Sequence, residues 1–176
     1  PFGLRYQAPW STDLKTININ PTIAGRISDN LWIGGGVDIM WSELSFEQFY
    51  PWAPWGGAGE GNVRAVGDGI GFGANIGLTW KVAEGHRVSL TYRSPIQVDY
   101  SGDFTIDNIP AGAAFAGVTP RSDFDTKIKF PTIIGLGYGV ELSDKVRLEV
   151  SGEWLQFSNF KSLNVGAGNN AVLFPS

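Results

Sequence analysis

Five aromatic side chains crowd one stretch of the sequence, FEQFYPWAPWGGAGEGNVRAVGDG, as Phe46, Phe49, Tyr50, Trp52 and Trp55. Rings at that density in a Gly-rich loop suit an apolar landing surface for a ligand, and the same side chains also serve as anchors at a membrane interface. A second stretch, IDNIPAGAAFAGVTPRSDFD, is apolar as well, with Ile109, Ala113, Ala114, Phe115 and Val118. Three cations, Arg93, Lys127 and Lys129, lie on the polar faces of neighbouring segments. A charged head group entering a narrow interior needs such a counter-charge, and the competing use for these cations is pairing with Asp99 or Asp125.

Residues for covalent or metal chemistry are scarce. His86 is the one histidine and falls in a short turn, and there is no cysteine. A Ser/His/Asp arrangement, a histidine metal site and a thiolate site are therefore all disfavoured, and the sequence reads as a non-enzyme with no cofactor. Asp103, Asp107, Asp123 and Asp125 have oxygens for calcium but not the rhythm of a calcium loop. GDGIGFG, from Gly67, runs into a strand rather than a helix, so it is no dinucleotide loop. A net charge of -4 without a basic cluster removes nucleic acid as a partner.

The segments that must position these residues alternate with period two. In LKTININPTIAGRI, Ile17, Ile19, Ile23 and Ile27 share one face, and Thr16, Asn18, Asn20, Thr22 and Arg26 the other. Leu31, Ile33, Val37, Ile39 and Trp41 continue the pattern, followed by Ile70, Phe72, Ile76, Leu78 and Trp80. A fourth segment is expected to place Val88, Leu90, Tyr92, Ile96, Val98 and Tyr100 together, and a fifth Ile128, Phe130, Ile134, Leu136, Tyr138 and Val140. Val146, Leu148, Val150 and Trp154 complete a sixth.

Tight turns near residues 28–30, 83–86 and 143–145 alternate with the two long loops. Short turns at one end, long loops at the other, a wholly apolar face and a Gly-rich polar face predict an all-β, transmembrane, antiparallel up-and-down barrel. Trp32 and Trp80 near the tight turns, and Trp41, Phe46, Tyr100, Phe104, Trp154 and Phe157 toward the other end, approximate two aromatic girdles. No run of about 18 apolar residues is present for a membrane helix. Pro21, Pro95 and Pro131 interrupt strands, and each removes a ladder hydrogen bond, so each predicts a bulge, a kink or a gate in the wall.

With TININP (16–21), GFGANIGLTW (71–80), LTYRS (90–94), VDYSGDF (98–104) and FPTIIGLGYGVELSDKVRLEVSGEWLQFSNF (130–160), the sequence resembles the FadL/TodX family of outer-membrane transporters. The resemblance implies a 14-stranded barrel in the bacterial outer membrane, plugged by an N-terminal hatch. It also implies capture of a fatty acid or other hydrophobic small molecule by the two long loops, and lateral release into outer-membrane lipid; no oligomeric state follows from it. Neither a hatch-forming segment nor the later strands are found here. Residues 1–176 are accordingly expected to be the central part of a single barrel domain, about six of its strands. A structural or adhesive barrel and a soluble β-sandwich binding module are the alternatives left open by the residues themselves.

Overall fold

A computed structural model describes residues 4–157 and 166–173. Nine antiparallel β-segments make one sheet that curls into half a barrel. They are β1 (Ser11–Ile19), β2 (Thr22–Ser28), β3 (Leu31–Pro51), β4 (Glu60–Ala83), β5 (His86–Arg93), β6 (Ile96–Ile106), β7 (Arg121–Phe130), β8 (Thr132–Ser143) and β9 (Val146–Gln156). Because β1 runs on into β2, β5 into β6 and β7 into β8, they trace six passes, with breaks at Asn20–Pro21, Ser94–Pro95 and Pro131. The six-strand expectation holds. The last three residues of the motif ending at Phe160 lie outside the described residues.

The backbone of this wall is the pair β3 and β4, in unbroken register from Leu31 opposite Trp80 to Pro51 opposite Glu60. On its other side β3 carries β1 above and β2 below, while β4 carries β6 above and β5 below. β7 pairs with β6, and β8 joins β5 to β9. Tight turns close the lower end, where Gly85 takes a positive φ of 73° in the β4–β5 turn, a conformation that glycine adopts without strain. At the upper end the β6–β7 loop holds one short helix, α1 (Ala111–Phe115).

Period-two alternation gives the sheet two unlike faces. On the convex face Ile17, Ile19, Ile23, Ile39, Ile70, Phe72, Ile76, Leu136, Val150 and Trp154 are all exposed, Ile23 to 82%. A water-soluble globule would bury such a row, whereas hydrocarbon accepts it. From Trp80 up to Ile70 the row along β4 spans about 33 Å of extended chain at roughly 3.3 Å per residue. Tilted as barrel strands are, it covers about 25 Å of bilayer. Among the described residues no helix is long and apolar enough to cross a membrane, so any crossing is made by strands.

Candidate functional site: a layered interior with a break in its wall

The concave face is layered. Its upper half is dry: Leu44, Trp52, Val63, Ala65, Ile96, Val98, Tyr100, Phe104, Ile106, Ala113, Val118 and Phe124 are buried in one cluster. Trp52 anchors it, fully buried, with its indole Nε1 donating to the Asp107 carbonyl at 3.3 Å. Gly61 makes the room, since a Cβ there would stand 2.7 Å from that nitrogen. Tyr50 meets Trp52 edge-on at 5.0 Å and accepts a hydrogen bond from Trp55 Nε1 at 3.1 Å. Beneath the cluster lies an apolar cleft of about 340 Å³ lined by Leu14, Leu44, Ile128, Phe130, Pro131 and Phe157, among others.

The site residues predicted from the loops separate in three dimensions. Tyr50, Trp52, Trp55, Ile109 and Val118 belong to the dry cluster or pack against it. Trp52 and Val118 are thus internal pillars, not an exposed landing surface, because a ring of this size with its one N–H satisfied is more stable out of water. Phe49 is on the convex side, stacked under Trp10 at 5.9 Å with the Arg5 guanidinium 4.1 Å from its centroid. Phe115, at the end of α1, is 96% exposed and is the predicted loop residue that presents a free apolar surface. Tyr100 and Phe104, expected in a girdle, are core residues.

The largest departure from expectation lies at Pro95 and Pro131. In β5 the odd-numbered residues face inward with Asn75 and Gly77; in β6 the even-numbered ones do, with Tyr100 donating to Ser42 Oγ at 2.8 Å. Ser94 and Pro95 together stand opposite the single residue Ala74, a β-bulge that reverses the faces. The same reversal occurs between β7 and β8 across Pro131, in register with the first. Ile96, Val98, Tyr100, Ile128 and Phe130 therefore face the interior and not the lipid.

Their polar neighbours turn outward. Lys127, with Asp99 at 3.4 Å, lies exposed on the convex face, not in the interior, whereas Lys129, also exposed, contributes to the lining of the apolar cleft. Higher on this face Arg121 grips Asp103 with Nε at 2.9 Å and Nη2 at 2.6 Å. That grip holds the Asp103 carboxyl below the usual carboxylate range.

A break in the wall accompanies the reversal. Pairing of β4 with β5 ends at Asn75 opposite Arg93, and pairing with β6 starts at Asp68 opposite Ser101. Across Gly69–Ala74 regular pairing lapses; there β6 lies over the concave side of β4, filling the space left by three glycines. A Cβ at Gly71 would come 2.5 Å from the Gln97 carbonyl oxygen, and one at Gly73 2.6 Å from Ile96 Cγ1. At the foot of the lapse Ser94 N–H donates to the Ala74 carbonyl at 2.8 Å, and Ser94 Oγ accepts from Ala74 N–H at 2.9 Å. Pro21 behaves differently. It keeps the faces in phase, its carbonyl accepts from Val37 N–H at 3.3 Å, and Asn20 Nδ2 supplies the missing donor to Val37 O at 2.9 Å.

At the level of the lapse the interior turns polar. Asp38 is fully buried, with Oδ1 accepting from Asn18 at 2.7 Å and Asn20 at 3.1 Å, and Oδ2 from Asn75 at 3.1 Å. Arg93 Nε stands 3.6 Å from the same carboxylate. Below this belt opens a bowl of about 420 Å³ with a mixed lining, in which Trp32, Ile33 and Ile133 stand beside Asn75, Thr91, Arg93 and Glu153. Sequence reading placed Asn18, Asn20, Asp38, Asn75, Arg93 and Glu153 on polar faces but did not see them converge. The available signal was three asparagines and an aspartate at one level on adjacent strands.

Exposed Ile rows outside, glycines and polar groups within, and a dry upper chamber define a segment of transmembrane β-barrel. The family described as outer membrane protein transport protein (OMPP1/FadL/TodX) matches residues 5–174, and the chain belongs to it. It is 27% identical over 132 residues to the long-chain fatty acid transport protein of Salmonella typhi, covering 62% of this chain and 30% of that protein. Against the protein of the same name from Escherichia coli K12 it is 26% identical over 198 residues, covering 93% and 44%. Among solved structures, a Pseudomonas aeruginosa FadL homologue superposes with a TM-score of 0.81 at 18% identity, over 90% of this chain and 42% of that one. The Ralstonia pickettii toluene transporter TbuX gives 0.75 at 18% identity, over 89% and 45%. The chain thus spans less than half the length of these relatives.

Proposed function

We propose that this chain is part of one barrel domain of an outer-membrane channel for passive uptake of hydrophobic small molecules, released sideways into lipid. The observation that carries the reading is the reversal of faces at Ser94–Pro95 and Pro131. It gives one barrel a dry interior above a polar belt at Asp38, and the pairing lapse between β4 and β6 lies at that boundary. An apolar molecule descending through the dry half meets the polar belt, where further descent is unfavourable. The low-cost path from there is outward past Gly69–Ala74, sealed by the side chains of Ile96 and Val98 rather than by a hydrogen-bonded ladder. Similarity to transporters of fatty acids and of toluene supports the class of cargo.

In this reading Phe115 makes the first contact at the loop tips, and Tyr50, Trp52, Trp55, Ile109 and Val118 hold the chamber in shape. Pro95 and Pro131 form the gate, and Pro21 is a tolerated break. The test is uptake of labelled hydrophobic cargo by cells that lack their own transporter. Phe115→Ser should slow uptake about three- to tenfold, the equivalent of the roughly 0.5–1.5 kcal/mol that an aromatic contact supplies. Ile96→Ala, which thins the seal, should speed it. Uptake that ignores both substitutions, in variants shown to be folded, removes capture and gate together.

A further inference from the structure

We propose that residues 94–100 form a strap across the concave side of β4, pinned at both ends to β3, and that bowing of this strap off the glycines opens the wall. Ser42 and Asp38 are then its positioning residues; this rests on the transport reading above. The strap is set apart from the rest of β6 by its bonding. Above it, Ser101–Ile106 is laddered to β4 from Asp68 to Val63, and below it Arg93 is laddered to Asn75, but between these points regular pairing with β4 lapses. There Ile96 and Val98 instead cover the backbone at Gly69, Gly71 and Gly73. Contacts of that kind are non-directional and individually weak, so they part and reform where a ladder would have to break. Along its other edge the strap stays bonded to β7, from Ile96 opposite Phe130 to Tyr100 opposite Thr126. It therefore moves as a two-stranded ribbon, with Pro95 and Pro131 side by side at its foot.

What holds the ribbon down reaches past β4 to β3. At the upper end Tyr100 Oη donates to Ser42 Oγ at 2.8 Å, and the Ser42 hydroxyl donates onward to the Lys15 carbonyl at 3.0 Å. At the foot Arg93 Nε lies 3.6 Å from the Asp38 carboxylate, which Asn18, Asn20 and Asn75 hold in place. Asp38 and Ser42 are both fully buried. In register Asp38 stands opposite Gly73 and Ser42 opposite Gly69, so the two pins bracket the glycines that the strap covers. One hydrogen bond and one ion pair are small against the stability of a barrel, yet they are large enough to set how often a local segment opens.

Val98, fully buried on the strap, supplies the reporter. In the complete protein Val98→Cys should react with methyl methanethiosulfonate only when the strap bows, and mass mapping of that residue follows the reaction. Tyr100→Phe, which keeps the ring and removes the upper pin, should speed this labelling about three- to tenfold, the worth of one hydrogen bond. Arg93→Gln should act in the same direction. Ser42→Ala should do at least as much as Tyr100→Phe because it strands the Tyr100 hydroxyl, and Tyr100→Phe in that background should add nothing. Val63→Cys, buried in the laddered part of β4, should keep its rate in every pin variant. With valine retained at 98, Tyr100→Phe should raise the maximal rate of uptake of labelled oleate or toluene and leave the half-saturating concentration unchanged, the pattern of faster exit at equal capture. Heat-modifiable migration of each variant on gels reports that the barrel has folded. Unchanged labelling at 98 in folded Tyr100→Phe, equal acceleration at 98 and 63, or faster labelling at 98 with unaltered uptake overturns the strap and leaves transport standing. If the unaltered protein takes up neither cargo, the transport reading falls and the strap with it.

Discussion

At Ser94 a hydroxyl does the work of a carbonyl. Proline takes one donor out of the wall at position 95, and the bulge it sits in leaves Ala74 N–H facing a side chain, which accepts at 2.9 Å. Asn20 makes the complementary repair beside Pro21, donating where the proline has no hydrogen. In a bilayer an unpaired amide finds no water, so these two side chains let prolines stand in strands that cross hydrocarbon. Ser94→Ala should cost about 1–3 kcal/mol, the penalty for a buried donor left unsatisfied. Ser94→Thr, which keeps the oxygen, should cost less. Urea unfolding of the protein in bilayers reads the difference; equal midpoints for Ser94→Ala and the unaltered protein would mean that Ala74 N–H has another partner.

Between strands, glycine on the concave side of β4 serves close approach. Gly69, Gly71 and Gly73 let β6 lie on β4, and a Cβ at Gly69 would run into the Asp99 carbonyl. Gly152, on β9, has nothing within 4 Å of the same added atom. Gly69→Ala should therefore destabilise by about 1–3 kcal/mol through overpacking, and Gly152→Ala by much less. Melting of the two variants, side by side, decides it, and equal melting would place β6 in the plane of the wall. Six passes and their turns are legible in the sequence because period two survives along most of each strand, as in Val146, Leu148 and Val150. The reversed faces of β6 and β7 are not legible. Ile96, Val98 and Ile128 keep the same phase as Val88 and Leu136 along the sequence, and one extra residue at a proline puts them on the opposite face without altering composition. The Asp38 cage is hidden for a related reason, since its members come from three passes and meet only once register is fixed.

Over the whole molecule the reversal shifts the boundary of the apolar exterior. On β3 and β4 the convex hydrocarbon row rises to Trp41 and Ile70, where Trp41 Nε1 already donates to Asp68. On β5 and β8 it stops at Tyr92 and Ile134, and above them Gln97, Asp99, Lys127 and Lys129 are exposed. Gln97 stands near the level of Phe72, which is 70% exposed on the neighbouring pass. A charged row facing acyl chains at that depth would cost several kcal/mol, so water or lipid head groups must reach down into the indentation left where β6 folds inward. Residues 1–176 contain no cysteine, so within them each introduced thiol reports alone. In intact cells a membrane-impermeant charged maleimide should label Gln97→Cys at least about tenfold faster than Phe72→Cys, since the reactive thiolate forms only where water is present. Equal protection of both would return β6 to the lipid-facing wall and close the proposed exit. Equal labelling of both would mean that the β4 row does not face hydrocarbon at that height, and the outward path past Gly69–Ala74 would then lead into water.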